Sequence, residues 1–406
     1  MEWYDWYAYS AFSVYFARHF FPDGNVTAQL LGTAAVFAVG FLMRPLGAWL
    51  MGNYADRHGR KAGLALSVAM MGGGSLLIAL TPGTDAIGIA APALLLVARL
   101  LQGLSVGGEY GASATYLSEM AARKHRGLTS SIQYVTLIGG QLAALGVQIL
   151  LQSLLSETAL EEWGWRIAFF IGAILAFGVY WLRRGLAETA DFAEGKASGK
   201  RSGGMALFRE HPRAAALVVA LTAGGTLAFY AYTTYMQKYL VNSTGFDRPT
   251  AALVMTGALA VFMLVQPAFG YLSDRMGRRP LLIGFGIGGT LFTVPLFHAI
   301  GSASGPLPAF LLVLAGLMIV SGYTAINAIV KAELFPPHIR ALGVALPYAI
   351  ANAIFGGTAE YVALWLKNAG HESLFFWYVA GMCGVSLVAY WRIRDTARHG
   401  TMSGAD

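Results

Sequence analysis

Six ionisable side chains, Asp5, Arg44, Arg99, Glu109, Lys238 and Lys331, fall inside long apolar runs of the chain. A lone charge at the centre of a membrane helix costs about 2.5–3.5 kcal/mol on insertion scales, so such groups pair or face a wet cavity. A carboxylate there can carry a proton: Asp5 is the first candidate, and Glu2 and Glu109 are further ones. Cations suit the opposite task. A guanidinium grips a carboxylate through two parallel N–H bonds, and Arg44 is the candidate clamp, with a role in helix packing as the alternative. Tyr230, Thr234 and Lys238 fall at i, i+4 and i+8, as do Tyr323, Asn327 and Lys331. On uninterrupted helices each triplet shares one face. Gln133 with Gln141, and Tyr348 with Asn352 and Glu360, stripe two more helices. Such stripes either line a polar cavity or hydrogen-bond helices to one another. Convergent Arg and Lys among hydroxyls and amides suit a dicarboxylate. Lys331 has a second candidate place, in a charge latch at the cytoplasmic face.

The elements that hold these residues are membrane helices. Charged residues make up 12% of the 406 positions, about half the share in a soluble domain, and the mean hydropathy is +0.56. The 50 glycines are scattered through apolar runs, where small residues let membrane helices approach closely. A spanning helix needs about 20 mainly apolar residues. Runs of that kind lie near 1–20, 30–52, 62–82, 91–116, 128–152 and 164–184, then near 212–240, 249–272, 280–300, 306–332, 341–366 and 373–391. The fold class is therefore all-α and membrane-spanning, with about twelve transmembrane helices. The domains read as a six-helix half over 1–184, a polar loop over 185–211, a second half over 212–391 and a tail over 392–406. A net charge of +7 does not point to nucleic acid, because the cations cluster in short loops between apolar runs. Arg57, Arg60, Lys61, Arg123, Lys124, Arg126, Arg183, Arg184, Lys196, Arg275, Arg278, Arg279, Arg340 and Arg392 all fall on one side. By the positive-inside rule that side, with both termini, is cytoplasmic. The start lacks the basic segment of a cleavable signal peptide.

The halves repeat. Gly52-Asn53-Tyr54-Ala55-Asp56-Arg57-His58-Gly59-Arg60-Lys61 has a second copy in Gly270-Tyr271-Leu272-Ser273-Asp274-Arg275-Met276-Gly277-Arg278-Arg279. Glu119 and Arg126 are spaced like Glu333 and Arg340. Two such halves with a site between them at mid-membrane describe an alternating-access transporter. Asp56, Arg57, Arg60, Glu119, Arg126, Asp274, Arg275, Arg278, Glu333 and Arg340 then form a gating network that holds one conformation shut. The alternative is that these charges serve topology alone.

The duplicated loop resembles the signature loop of the major facilitator superfamily. Glu2-Trp3-Tyr4-Asp5-Trp6-Tyr7, Gly40-Phe41-Leu42-Met43-Arg44-Pro45-Leu46-Gly47, residues 99–111 and Trp163-Gly164-Trp165-Arg166 resemble its metabolite:proton symporter family. Within that family, residues 232–240 and 351–357 are similar to carriers of 2-oxoglutarate. The resemblance implies proton-coupled uptake of 2-oxoglutarate or a related dicarboxylate across the bacterial inner membrane; a monomer is expected to suffice. It also implies that Asp5 and Arg99 form the acid–arginine couple between helices 1 and 4 of related sugar–proton symporters, with a permanent structural ion pair as the alternative. Family members carry a cytoplasmic segment and about half a helix before the first motif. Here Met1 directly precedes it, which predicts a shortened first helix.

Energetics constrains the coupling. Moving one charge through 100 mV is worth about 2.3 kcal/mol. A dianion with one proton enters against a negative interior, and two protons make the step electroneutral. Uptake of a dianion therefore needs at least two proton sites, Asp5 plus Glu2 or Glu109. No cofactor is expected beyond the coupling proton. The single Cys383 excludes a disulfide, and no metal cluster, nucleophile elbow or phosphate loop points to an enzyme. The main rival is a proton symporter of a zwitterionic osmolyte such as betaine or proline, with Trp3, Trp6 and Tyr7 as a cation–π site. The rival from another class is a non-transporting, metabolite-sensing receptor, against which the short central loop argues.

Overall fold

A computed structural model describes the backbone of residues 2–58, 60–107, 109–184, 207, 209–336 and 339–402. Side chains at 52, 53, 55–58, 60, 61, 64, 109–112, 116, 123, 183 and 184 lie outside the described set. The described residues form helices joined by short turns, with no strand among them.

Among the described residues, twelve long helices follow one another. The first six are α1 (Glu2–Phe20), α2 (Val26–His58), α3 (Arg60–Leu80), α4 (Ala90–Gly107, continued by Glu109–Met120), α5 (Arg126–Leu154) and α6 (Trp165–Arg184). Most of 185–211 lies outside the described residues. Then come α7 (Pro212–Asn242), α8 (Arg248–Met276), α9 (Arg278–Gly301), α10 (Pro306–Ala332), α11 (Arg340–Asn368) and α12 (Ser373–Arg392). A short α13 (Thr396–His399) ends the described chain. Among the described residues, ten helices are long and apolar enough to cross a membrane. The other two are α1, whose ends carry Glu2, Asp5, Arg18 and His19, and α3, whose apolar part is only Ala65–Leu80.

The polarity runs inside out. Trp49, Phe177, Trp181, Leu264 and Trp391 are exposed, whereas Asp5, Arg99, Gln102, Lys238 and Asn352 are buried. Lipid is as apolar as leucine, so close packing and interhelical hydrogen bonds hold such a bundle. Glycine provides the close packing between α2 and α4: a Cβ on Gly103 or Gly107 would strike the backbone of Gly40 or Arg44. Gly127 of α5 and Gly270 of α8 meet the same way, with a Cβ on Gly270 landing 2.6 Å from the Gly127 carbonyl oxygen.

Three of the helices are irregular at depth. A π turn interrupts α7 at Ala231–Tyr235 and another interrupts α11 at Asn352–Gly356. Helix α10 breaks at Ala325 and Ile326 before resuming at Asn327. Non-helical backbone inside a membrane is tolerated where protein or a cavity surrounds it, and π turns concentrate at functional sites. These interruptions correct the expected geometry of both triplets. A π turn inserts a residue between Tyr230 and Lys238, and the α10 break separates Tyr323 from Asn327 and Lys331, so neither triplet is a single straight stripe.

Candidate functional site

The centre of the bundle is built on Trp6 of α1. The Arg44 guanidinium lies 4.1 Å from its ring centroid and the Arg99 guanidinium 4.0 Å, so two cations share one indole. Arg44 also lies 3.9 Å from the Phe41 ring and Arg99 4.4 Å from the Tyr9 ring. Cation–π contacts of this kind gain strength when desolvated, to about 2 kcal/mol. They leave N–H groups over: Nε and Nη2 of both arginines are buried without a hydrogen-bond acceptor. Ionised, donor-rich side chains in that condition are poised for an anion.

Asp5 lies next to this pair, fully buried. The expected direct couple with Arg99 is replaced by a relay. Ser75 donates to Asp5 Oδ1 at 2.6 Å, Gln102 Nε2 donates to the Ser75 hydroxyl at 2.9 Å, and Arg99 Nη1 donates to Gln102 Oε1 at 2.7 Å. Two neutral side chains from α3 and α4 separate the charges because α6 presses on Asp5 from the other side. A Cβ on Gly172 would overlap Asp5 Oδ1. Nothing in residue spacing marks Ser75 or Gln102 for this task. Glu2 is partly exposed in the first turn of α1, and the Glu109 side chain lies outside the described residues.

A second charged centre joins α7, α11 and α1. Lys238 Nζ pairs with Glu360 Oε1 at 2.8 Å, with the two side chains 1% and 4% exposed. Lys238 also donates to the Ser10 hydroxyl at 3.0 Å and carbonyl at 3.2 Å, and that hydroxyl donates to Glu360 Oε2 at 3.4 Å. Ser10 lines a small central cavity of ≈ 10 Å³ with Tyr7, Gln141, Thr233, Thr234 and Gln237. That is room for about one water. In the sequence Glu360 stands only as part of a polar stripe, and its position eight residues beyond Asn352 is the signal that points to it.

The remaining candidates surround these centres. Arg44, Tyr348 and Asn352 line a further cavity of ≈ 10 Å³. Thr226 donates to Asn352 Oδ1 at 2.6 Å, and Tyr230 packs edge-on against Phe41 at 5.2 Å. Lys331 Nζ stands 3.6 Å from the Tyr348 ring centroid, and Asn327 donates to the Tyr134 hydroxyl at 3.1 Å. Gln141 donates to the Thr233 carbonyl at 3.3 Å across α5 and α7, Gln133 is buried on the same helix, and Tyr323 packs against Phe285 and the Gly225 backbone. Arg166 donates to the carbonyls of Ala79 and Thr81, tying α6 to the end of α3.

At one end of the bundle several of the candidate gating charges meet. Glu119 pairs with Arg340 at 2.7 Å, and Glu333 lies 3.4 Å from Arg278. The repeat places acid and base seven positions apart in each half, yet Glu119 and Arg340 bond across halves. Asp274 accepts from the Gly127 and Leu128 amides at 2.7 and 3.0 Å and from Arg278 at 2.8 Å. Arg126 donates to the Met402 carbonyl, while Arg275 stacks on Tyr271. Burial pushes the Glu333 carboxyl up, and Arg278 opposes that shift. Side chains of Asp56, Arg57 and Arg60 lie outside the described residues. On the opposite face, Arg248 pairs with Glu161 at 2.6 Å and Glu157 at 3.1 Å, and Asn242 donates to Thr27 at 3.1 Å. Among the described residues, helices from before and after the central loop thus touch at both ends, and a cavity of ≈ 270 Å³ lies among Arg126, Asp274, Arg275, Arg278, Glu333 and Arg398.

The sequence pattern of the Major Facilitator Superfamily matches residues 2–357 and 226–405. The chain belongs to that superfamily. It is 56% identical over 388 residues to the alpha-ketoglutarate permease of Escherichia coli K12, covering 96% of this chain and 89% of that one. A citrate-proton symporter of Salmonella typhi is 35% identical, covering 97% and 92%. A proline/betaine transporter of Salmonella typhimurium is 31% identical, covering 98% and 81%. Among solved structures, the xylose transporter XylE from E. coli, partially occluded and inward open, matches with a TM-score of 0.72 at 17% identity, covering 97% of this chain and 95% of that one. The E. coli fucose:proton symporter FucP matches with a TM-score of 0.63 at 16% identity, covering 97% of each. These two establish the fold, and the sequence relatives are transporters.

Proposed function

We propose that this protein takes up 2-oxoglutarate, or a closely related dicarboxylate, with protons across the bacterial inner membrane. The halves 1–184 and 212–391 alternate about the centre, with both termini cytoplasmic and one chain sufficient. The observation that carries the reading is the pair of buried guanidiniums on Trp6, each with N–H groups lacking an acceptor. A dicarboxylate offers two anionic ends, and bidentate arginine contacts suit each. High identity to an alpha-ketoglutarate permease supports the choice of substrate.

Arg44 and Arg99 bind substrate in this reading, with Asn352, Tyr230, Thr234, Asn327, Tyr323, Gln133, Gln141, Lys238 and Lys331 completing the wall. Asp5 takes the proton, and the Ser75–Gln102 relay reports its charge to Arg99. When the carboxylate is neutralised, Gln102 is freed to turn and Arg99 can reorient toward the substrate. The two central cavities among the described residues have room for about one water each, so binding of a five-carbon diacid requires one end of the bundle to part. Asp274, Glu119, Arg126, Arg275, Arg278, Glu333 and Arg340, with Asp56, Arg57 and Arg60 in the first copy of the loop, close the cytoplasmic end.

The zwitterion alternative needs the aromatic faces of α1 for a quaternary ammonium. Arg44 and Arg99 already lie 4.1 and 4.0 Å from the Trp6 ring centroid, and like charge would repel such a ligand. The test is uptake of labelled 2-oxoglutarate into proteoliposomes with and without an inward proton gradient. Gradient-stimulated uptake, competed by dicarboxylates but not by betaine or proline and lost in Arg44→Ala, is the expected result. Absence of uptake by correctly folded protein would remove the substrate assignment.

A further inference from the structure

Between the outer and cytoplasmic charge clusters, the buried acids and bases among the described residues are Asp5, Arg44, Arg99, Lys238, Lys331 and Glu360. Four of these described groups are bases and two are acids, so a substrate carboxylate reaches a base only where a resident carboxylate makes way for it. Asp5 already stands apart from the cations, behind Ser75 and Gln102. Glu360 does not: it is the direct ion-pair partner of Lys238.

Burying an ion pair is seldom favourable against an apolar pair, and breaking one side of it costs about 3–5 kcal/mol. Lys238 and Glu360 each follow a π turn, in α7 and α11, which aims them at one another and at Ser10. Ser10 also faces the central cavity, so the pair forms an edge of the space a substrate would open. Lys238 thus stands one hydrogen bond behind the cavity wall, through Ser10, with its charge already cancelled by Glu360.

We propose that Glu360 is a resident stand-in for a substrate carboxylate, holding Lys238 until protonation releases it to the substrate. This rests on the dicarboxylate reading above. The step balances simply: the Glu360 carboxylate accepts one proton from the open side and becomes a neutral acid. Its ion pair with Lys238 is lost, and a substrate carboxylate forms the new one. On the other side the substrate leaves, Glu360 gives its proton to water, and the original pair closes. Glu360 then supplies the second proton site that electroneutral carriage of a dianion requires, in place of Glu2 or Glu109. The groups set about Glu360 are Lys238 from α7, Ser10 and Tyr9 from α1, and Arg99 from α4. Helices α2, whose buried charge is Arg44, and α12, with Tyr378 and Tyr390, complete the packing around this part of α11.

The test is calorimetric binding of 2-oxoglutarate to the purified full chain across a pH series. Each proton taken up with substrate weakens binding about tenfold per pH unit above the carboxylate's titration. Glu360→Gln, a permanent mimic of the neutral acid, is expected to bind more tightly at high pH and to lose one proton from that slope. Glu360→Asp is expected to keep the slope. An unchanged slope in Glu360→Gln, with wild type binding normally, overturns the stand-in role alone. Failure of the wild type to bind at all overturns the dicarboxylate reading and this inference with it. If Glu360→Gln does not fold, the double variant Glu360→Gln/Lys238→Gln decides. Retained binding in it identifies a purely structural pair and refutes the proposal, and loss of binding at unchanged melting temperature supports it.

Discussion

Asp274 holds the start of α5 from another helix, and its neutralisation should open the cytoplasmic end. Helix α5 begins at Arg126, so the Gly127 and Leu128 amides belong to its first turn and have no partner within the helix. The Asp274 carboxylate of α8 receives both, and the positive end of the helix dipole adds to the attraction. In Asp274→Asn the side-chain carbonyl can accept one amide, and its NH₂ group faces the other. Hydrogen bonds to a charged group contribute about 1.5–3 kcal/mol each. Losing one and weakening the second, offset by hydration of both amides when the end is open, leaves about 2 kcal/mol. That is roughly a thirtyfold shift toward the open form. Ser130 is buried on α5 behind this contact, its hydroxyl accepting from the Ile329 amide at 3.1 Å. In a Ser130→Cys background, alkylation by a membrane-impermeant reagent from the cytoplasmic side measures the opening. The Asp274→Asn rate should rise by about that factor. An unchanged rate in folded protein would refute the capping argument.

Gly172→Ala should push Asp5 off Ser75, because the new methyl overlaps Asp5 Oδ1. Gradient-driven uptake should fall well below that of the wild type while substrate exchange persists, and equal loss of both would contradict a coupling role. Glu119 is 44% exposed, so a double-mutant cycle with Arg340 should give a coupling of at most about 1 kcal/mol. Arg340→Ala should cost more than Glu119→Ala in thermal stability, since Arg340 also donates to the Ala332 and Phe335 carbonyls. Current recorded from proteoliposomes should be near zero for dianionic substrate, because two protons balance its charge; net negative charge entering with the substrate would show that only one proton travels.

Much of the architecture was legible because the membrane imposes it. Apolar runs of spanning length must be helices, since every backbone polar group there needs an internal partner. The runs over 128–152 and 249–272 reappear as α5 and α8 with only their ends extended. The duplicated loop puts Asp274 and Arg278 at one end of the bundle, and the repeated Glu/Arg spacing adds Glu333 to the same cluster. Burial of Asp5, Arg44, Arg99, Lys238 and Lys331 was legible too, because a charge inside an apolar run has nowhere else to go.

Partner choice was not legible, because it is settled between helices far apart in the chain. The repeated spacing of Glu119 and Arg126, and of Glu333 and Arg340, names no partners, and helix packing delivers Arg340 to Glu119 and Arg278 to Glu333. Asp5 and Arg99 are separated by Ser75 and Gln102 because α3, α4 and α6 converge there, and Gly172 leaves the carboxylate no other place. Regular periodicity assumes an unbroken helix, so the π turns of α7 and α11 re-aimed Lys238 and brought Glu360 to it. The sequence determined which charges enter the membrane and which runs carry them. The tertiary structure decided which charges meet, because in a low-dielectric interior the partner is whichever group the packing of distant helices brings within reach.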